Sequence, residues 1–255
     1  MTDHHVHIGQ FNEVYFDALQ IFNAIEESAV QTKISQVYFS STSSCRDDAE
    51  LSKIEEETAY ALKFKSEILK VKPYLWFIPQ YAEKNISIKS IMDTFDYAGF
   101  KIHPFAQKWN LENPIHKKCF QDIFEYAEEN QKFILIHSGL DKDCNPIRFE
   151  QYFKDYPNAK VILAHSNPEK SVCKLVNNYK NVYCDTAYIT KGNLKYISKN
   201  IKDKSKILFG TDFPLTQYFN ERLFDKKISL SEEYLKDCSE FWNEDISVKK
   251  NVNSL

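Results

Sequence analysis

The sequence predicts an α/β chain that folds as one (β/α)8 TIM-type barrel, a single domain over residues 1–255. Three observations carry this reading. Eight short apolar runs alternate with longer amphipathic stretches, the pattern of repeated βαβ units. No linker, internal repeat or low-complexity segment divides the chain. Ionisable residues gather at the C-terminal ends of the apolar runs, which meet on one face of a parallel barrel. The alternative is an open doubly wound sheet, but neither GxGxxG nor GxxxxGK[ST] follows the first run.

Taken in order, the first strand is expected at 5–8 and is followed by a helical pattern at 16–32. The second strand, 34–40, leads into the clearest helix, 47–70, where Leu51, Ile54, Thr58, Ala61, Leu62 and Ile68 recur at helical spacing among Glu and Lys. Strands at 74–78 and 99–102 flank a helix at 87–97. Helices at 114–130, 146–155, 168–179 and 190–202 then alternate with strands at 133–137, 160–165, 181–184 and 206–209.

Composition narrows the function. Lys+Arg 33 against Asp+Glu 36 leaves a net charge of −3, which gives no bulk attraction to nucleic acid or an anionic membrane. A mean hydropathy of −0.50 and the lack of a long apolar run exclude a spanning helix. The first residues, MTDHHVHIG, have no basic and then apolar stretch of the secretory kind. The six cysteines show no CxxC, and Cys119, Cys173 and Cys184 fall in helix- or strand-like runs as buried free thiols. A cytoplasmic location is the expectation. Only 5 glycines occur, and four of them (Gly9, Gly99, Gly139, Gly210) lie within two residues of a candidate site residue, which marks them as rim positions.

The histidines define the candidate site. Alternation along a strand puts His5 and His7 on one face and Val6 and Ile8 on the other. Lys101 and His103 share a face of the fourth strand, His137 and His165 end the fifth and sixth, and Asp212 follows the eighth. Imidazoles at i and i+2, joined by a third imidazole and a carboxylate, suit a catalytic zinc-type centre with an open position for water. His116, in the pattern ENPIHKKCFQDIFEYA, reads as a surface residue without a catalytic role.

In DHHVHIG, GFKIHP, ILIHSG, VILAHSN, YCDTA and LFGTDFP, running in order from residue 3 to residue 214, the chain resembles the amidohydrolase superfamily. Within it, the wording is closest to the amidohydrolase-related branch of metal-dependent hydrolases and non-oxidative decarboxylases. The resemblance implies that His5, His7, His137 and Asp212 hold one divalent metal, zinc or alternatively manganese. Asp212 would move a proton, and His165 would contact the reacting group. It also implies that His4 points away from the metal. Lys101 is implied either as an unmodified partner of an anionic substrate or, in binuclear members, as a carboxylated bridge between two metals. A homodimer is common among such relatives.

The expected reaction is hydrolysis of an ester, lactone or amide in a small, carboxylate-bearing substrate. Decarboxylation of an aromatic or unsaturated acid is the alternative, and a non-catalytic barrel is a third reading. Phosphoesterase-like barrels of the nuclease type use a glutamate where this chain has Lys101 and His103. The loops after the strands offer Arg46, Lys108, Trp109, Arg148 and Arg222. Of these, Arg46, Arg148 and Trp109, with Lys101 and His103, are the expected substrate contacts.

Overall fold

The computed structural model describes residues 1–45 and 50–221. The strands are β1 (Thr2–Phe11), β2 (Val14–Phe16), β3 (Gln36–Ser41), β4 (Lys70–Trp76) and β5 (Gly99–Ile102). They continue with β6 (Phe133–His137), β7 (Lys160–Ala164), β8 (Val182–Asp185) and β9 (Ile207–Leu208). All pair in parallel from β1 through β3 to β9, and β2 alone turns back antiparallel on β1. The parallel strands are therefore the eight expected, and β2 is a short hairpin arm added to the first.

Backbone bonds beyond β9 close the ring. His4 N donates to Phe209 O at 2.9 Å, Asp212 N to His5 O at 2.8 Å and His7 N to Phe213 O at 2.8 Å. Val6 and Phe213 form a parallel bridge at the same seam.

Helices wrap the ring, among them α1 (Ala18–Thr32), α2 (Leu51–Ala61), α3 (Pro79–Glu83), α4 (Ile88–Met92) and α5 (Pro114–Glu129). After β6 come α6 (Glu150–Asp155), α7 (Glu169–Asn178), α8 (Lys191–Asn200) and α9 (Leu215–Glu221). Their starts follow capping chemistry. Asp17 accepts from Gln20 N at 3.0 Å, Asn113 from Ile115 N at 2.9 Å ahead of Pro114, and Thr190 from Asn193 N at 3.1 Å. The helix expected over 47–70 ends at Ala61. Past it, the Ser66 hydroxyl takes the N–H groups of Ile68 and Leu69 at 3.0 and 2.9 Å, which sets a turn into β4. Ile68 is accordingly exposed. His116 is also not a surface residue. It is buried, and its ring ties Asn110 N at 3.1 Å to Glu83 Oε1 at 2.9 Å.

Two apolar layers result. The outer one lies between strands and helices; α5 contributes Cys119, Phe120, Ile123, Phe124 and Ala127, one face of a 3.6-residue period. The inner one fills the barrel with Tyr38, Tyr74, Leu135, Ile162, Ala164 and Leu208. On three strands the next inward position, two residues on, belongs to the rim above: Tyr38 precedes Ser40, Tyr74 precedes Trp76, Leu135 precedes His137. Gly99 is part of this floor rather than of the rim, because a Cβ there would meet the Phe133 backbone at 2.0 Å.

Strand alternation fails in β1. The pairing with β3 shifts between Asp3 and Val6, so one extra residue is accommodated. Asp3 stabilises the shift by accepting from His5 N at 3.0 Å, Thr211 N at 3.1 Å and Thr211 Oγ1 at 2.6 Å. As a consequence His4 also turns inward, one layer below His5, and stacks on Tyr38 with ring centroids 5.1 Å apart.

Two tests follow from these layers. Phe120 is fully buried against Phe149, Tyr152 and Trp109, so Phe120→Ala is expected to cost about 3–5 kcal/mol in urea unfolding. Burial pushes the His4 pKa down to about 4. Between its ordinary 6.5 and about 4, the unfolded chain binds a proton that the folded chain refuses, so His4 removes stability as pH falls through that window. His4→Phe keeps a stacked ring and should lose less stability than wild type over the same range. Equal losses would contradict this account.

Candidate metal centre

The seam between β1 and the segment after β9 carries the densest group of ionisable side chains. His5 Nε2 lies 3.3 Å from Asp212 Oδ1, and His7 Nε2 lies 3.0 Å from the same oxygen. One ligand-type atom from each of the three residues lies within 4.8 Å of the others, and all three residues are buried. Asp212 takes a left-handed backbone with φ 58°, an infrequent conformation for a residue with a side chain, and its N–H is held by His5 O. Ring closure and side-chain convergence are thus one event. Gly210 makes the approach possible, because a Cβ there would come within 3.1 Å of His5 Cβ and 3.3 Å of Asp185 Cβ.

Hydrogen bonds fix which ring nitrogens carry protons. The Ala187 carbonyl, which can only accept, lies 3.0 Å from His165 Nδ1, so that nitrogen bears the hydrogen. His165 Nε2 then holds a lone pair and accepts from His137 Nδ1–H at 3.0 Å, which leaves His137 Nε2 as a lone pair. On β1, His5 Nδ1 donates to Asp185 Oδ2 at 2.9 Å, and Lys101 Nζ donates to His5 Nε2 at 2.9 Å. His5 Nε2 is therefore also a lone pair, and it faces the Asp212 oxygen. The Lys101 ammonium beside them offsets the repulsion between these two electron-rich atoms. The Ser40 hydroxyl, 3.1 Å from His7 Nδ1, is able to donate or accept and so serves either tautomer of His7.

Electrostatics follow from burial and this packing. Burial pushes Asp212 up, but the hydrogen bond from His7 and the nearby His165, His7 and Lys101 outweigh it and hold the carboxyl below its ordinary value. Burial dominates at Asp185 and raises it to about 7 against the His165 N–H bond and the Lys101 charge. Burial also lowers Lys101 to about 8, opposed by Asp212 and Asp185. It lowers His165 to about 4 and His103 to about 3, and it takes His5 and His137 well below the ordinary range. At neutral pH these rings are uncharged, the state in which imidazole ligates metals.

A cavity of about 520 Å³ opens over this group. His7, Lys101, His103, His137, His165 and Asp212 line it, so six expected site residues meet in one place. His5 sits just beneath, almost fully enclosed. Aromatic and apolar walls come from Phe11, Trp76, Tyr188, Leu215 and Phe219. Two expected substrate contacts are elsewhere. The loop after β5 folds back through Trp109 N to Pro104 O at 2.9 Å and buries Trp109 against Phe120. Arg148 pairs with Asp143 Oδ1 at 2.8 Å and does not line the cavity. Arg46 and Arg222 lie outside the described residues.

His137 does not join the trio. Its ring stacks on His103 at 3.7 Å, and one ligand-type atom from each of His103, His137 and Cys144 lies within 4.8 Å of the others. Sequence reasoning also left Asp185 without a role. The signal was present: Asp185 lies two residues beyond Tyr183 at the end of β8, the parity of an inward position. Cys144 gave no such signal, since only the folded loop brings it near His137.

The proton assignment is open to direct test. Long-range proton–nitrogen NMR at pH 8 should show Nδ1-protonated neutral rings for His5, His137 and His165. A proton on His165 Nε2 would break the chain of bonds described here.

No family model and no curated protein matches the chain. Solved structures do. A dihydroxybenzoic acid decarboxylase from Polaromonas sp. JS666, with bound manganese and the inhibitor 2-nitroresorcinol, aligns at TM-score 0.56 and 12% identity over 98% of this chain and 97% of that one. A 5-carboxyvanillate decarboxylase from Sphingomonas paucimobilis aligns at 0.55 and 11% identity over 96% and 98%. A dihydroorotase from Campylobacter jejuni aligns at 0.51 and 14% identity over 97% and 82%. Among the described residues no helix is long and apolar enough to cross a membrane. At these identities the likeness is one of fold alone: the chain shares the barrel architecture of these three enzymes.

Proposed function

We propose that the chain is a metal-dependent enzyme acting on a small, carboxylate-bearing molecule, with hydrolysis by activated water as its reaction. One observation carries this: two imidazoles and a carboxylate, all buried, converge on one point at the C-terminal end of the barrel, with the His5 lone pair set by Asp185. The donor set fits a divalent ion, with His5 Nε2, His7 Nε2 and Asp212 to hold it. Zinc suits this N/O set, and manganese is the ion present in the Polaromonas structure. When bound, such an ion supplies Lewis acidity, polarising a substrate oxygen and acidifying water.

The residues divide the remaining work. Asp212 stays ionised and is the group able to take a proton from water and return it to a leaving group. Lys101, at the cavity floor, is the cation that would meet a substrate carboxylate, in its unmodified form. His165 has both ring nitrogens engaged, so it orients His137 rather than donating to a substrate oxygen. With Arg148 paired to Asp143, Lys101 and His103 are the described residues that take the anion-facing role expected of it.

The aromatic wall favours a second reading, decarboxylation of an aromatic acid, since Trp76, Phe11, Tyr188 and Phe219 suit a planar ring. The Polaromonas and Sphingomonas decarboxylases act on such acids by name. The test uses metal-free protein reconstituted with Zn2+ or Mn2+ and offered a panel of lactones and of hydroxylated benzoic acids. Metal-dependent acid release from lactones supports the hydrolase, CO2 release supports the decarboxylase, and turnover that ignores chelation overturns both. His5→Ala/His7→Ala should abolish binding of one metal equivalent. Undiminished metal content in that variant would remove these residues as ligands.

A further inference from the structure

We propose that His103 is a catalytic residue that donates a hydrogen bond, from the Nε2–H of its neutral ring, to the carbonyl oxygen of the substrate. This rests on the reading of the cavity as a substrate site and names the group that meets the reacting carbonyl there. One bond decides where the ring proton sits. A backbone N–H can only donate, and Ala106 N lies 3.2 Å from His103 Nδ1. His103 Nδ1 is therefore a lone pair, the ring is uncharged, and its single proton is on Nε2. The wiring is the reverse of that at His5, His137 and His165, which carry the proton on Nδ1 and the lone pair on Nε2. Those three rings present acceptors; His103 presents a donor.

The loop after β5 holds that arrangement. His103 N donates to Gln107 Oε1 at 3.1 Å, and Gln107 N donates back to His103 O at 3.2 Å. Gln107 is itself buried, with its Nε2 donating to Ser44 O at 3.4 Å. Position 103 is thus clamped through its N–H, its carbonyl and its ring. The ring plane is set by stacking on His137, with centroids 3.7 Å apart, and by Trp76, which lies parallel within 1° at 6.2 Å. With Nδ1 turned to the loop, Nε2–H projects the other way, into the cavity that the ring lines.

A neutral donor suits one kind of oxygen. The Lys101 ammonium already meets an anionic end of the substrate. An imidazole N–H adds most at an oxygen that is uncharged at first and gains charge during the reaction, because the bond strengthens as the charge grows. In hydrolysis the water oxygen adds to the carbonyl carbon and its proton passes to Asp212. The carbonyl π pair moves onto oxygen, where His103 Nε2–H meets it. That pair returns as the bond to the leaving group breaks, and the leaving group takes the proton from Asp212. The His103 proton stays on nitrogen throughout.

Two measurements on the full-length protein test this. In proton–nitrogen NMR, wild-type His103 should show the Nε2-protonated neutral ring, and titration with benzamide, a planar neutral carbonyl compound, should move that proton downfield to saturation. An Nδ1 proton on His103, or an Nε2 proton that benzamide leaves in place, overturns the proposal. The second measurement is lactone hydrolysis by Zn2+-loaded variants whose fold circular dichroism confirms. His103→Phe keeps a stacking ring, and His103→Asn keeps an acceptor for Ala106 N–H, but neither carries the donor. Both should lose about 10²-fold in kcat with KM little changed. His103→Gln puts an amide N–H near the place of Nε2 and should recover part of that loss. Full kcat in the Phe and Asn variants, a loss confined to KM, or a Gln variant no better than Asn overturns the proposal. Wild-type hydrolysis that survives in the Phe and Asn variants removes this inference alone. A saturable benzamide shift at His103 in a protein that hydrolyses no lactone supports the donor and removes the hydrolase reading alone.

Discussion

The seam where the last strand meets the first governs the molecule. Three backbone hydrogen bonds across it complete the barrel, and the same three bonds bring Asp212 against His5 and His7. The seam cannot be regular. A regular strand after Leu208 would not place a left-handed residue at 212, and a regular β1 would not turn both His4 and His5 inward. Asp3 bridges the two irregularities by accepting from both sides of the seam, so the first carboxylate of the chain serves the fold and the last one in the barrel serves the site. Closure and site formation are energetically coupled for this reason.

From that seam, order spreads through hydrogen bonds with defined direction. The turn after β8 presents a carboxylate at Asp185 and a carbonyl at Ala187. The first fixes the His5 proton, and the second fixes His165 and, through it, His137. Backbone N–H groups of His165 and Ala187 hold Asp185 Oδ1 at 2.7 and 3.1 Å, so the carboxylate that orients a ring is itself oriented. A cluster of neutral imidazoles around one ammonium is otherwise free to adopt many proton arrangements. Here the turn selects one.

Much of this was legible in the sequence. The eight strands were found because each is a short apolar run bounded by turn residues, and the meeting of His7, Lys101, His103, His137, His165 and Asp212 followed from their places at strand ends. What was not legible depends on contacts between distant segments. Strict alternation in β1 hid the inward turn of His4, since the shift there is stabilised by Thr211, more than two hundred residues away. The helix expected over 47–70 overran because the chain leaves helical pairing after Ala61, and Ser66 then takes the N–H groups of Ile68 and Leu69 in a turn. Trp109 and Arg148 looked like rim residues by position, yet the first is folded under its loop and the second is taken by Asp143. The sparse glycines mark the site at 139 and 210, whereas Gly99 answers to the Phe133 backbone in the floor.

The barrel floor has a further consequence. Tyr38, Tyr74 and Leu135 each sit two residues before a rim position on the same strand, so the depth and tilt of the polar groups are set by how those side chains fill the interior. Much of the cavity wall comes from different material: Tyr188 in the turn after β8, and Leu215 and Phe219 on α9. A chain organised this way can exchange its walls without retuning its chemistry. Change in what is admitted and change in what is done to it are separate events, made by substitutions in separate layers.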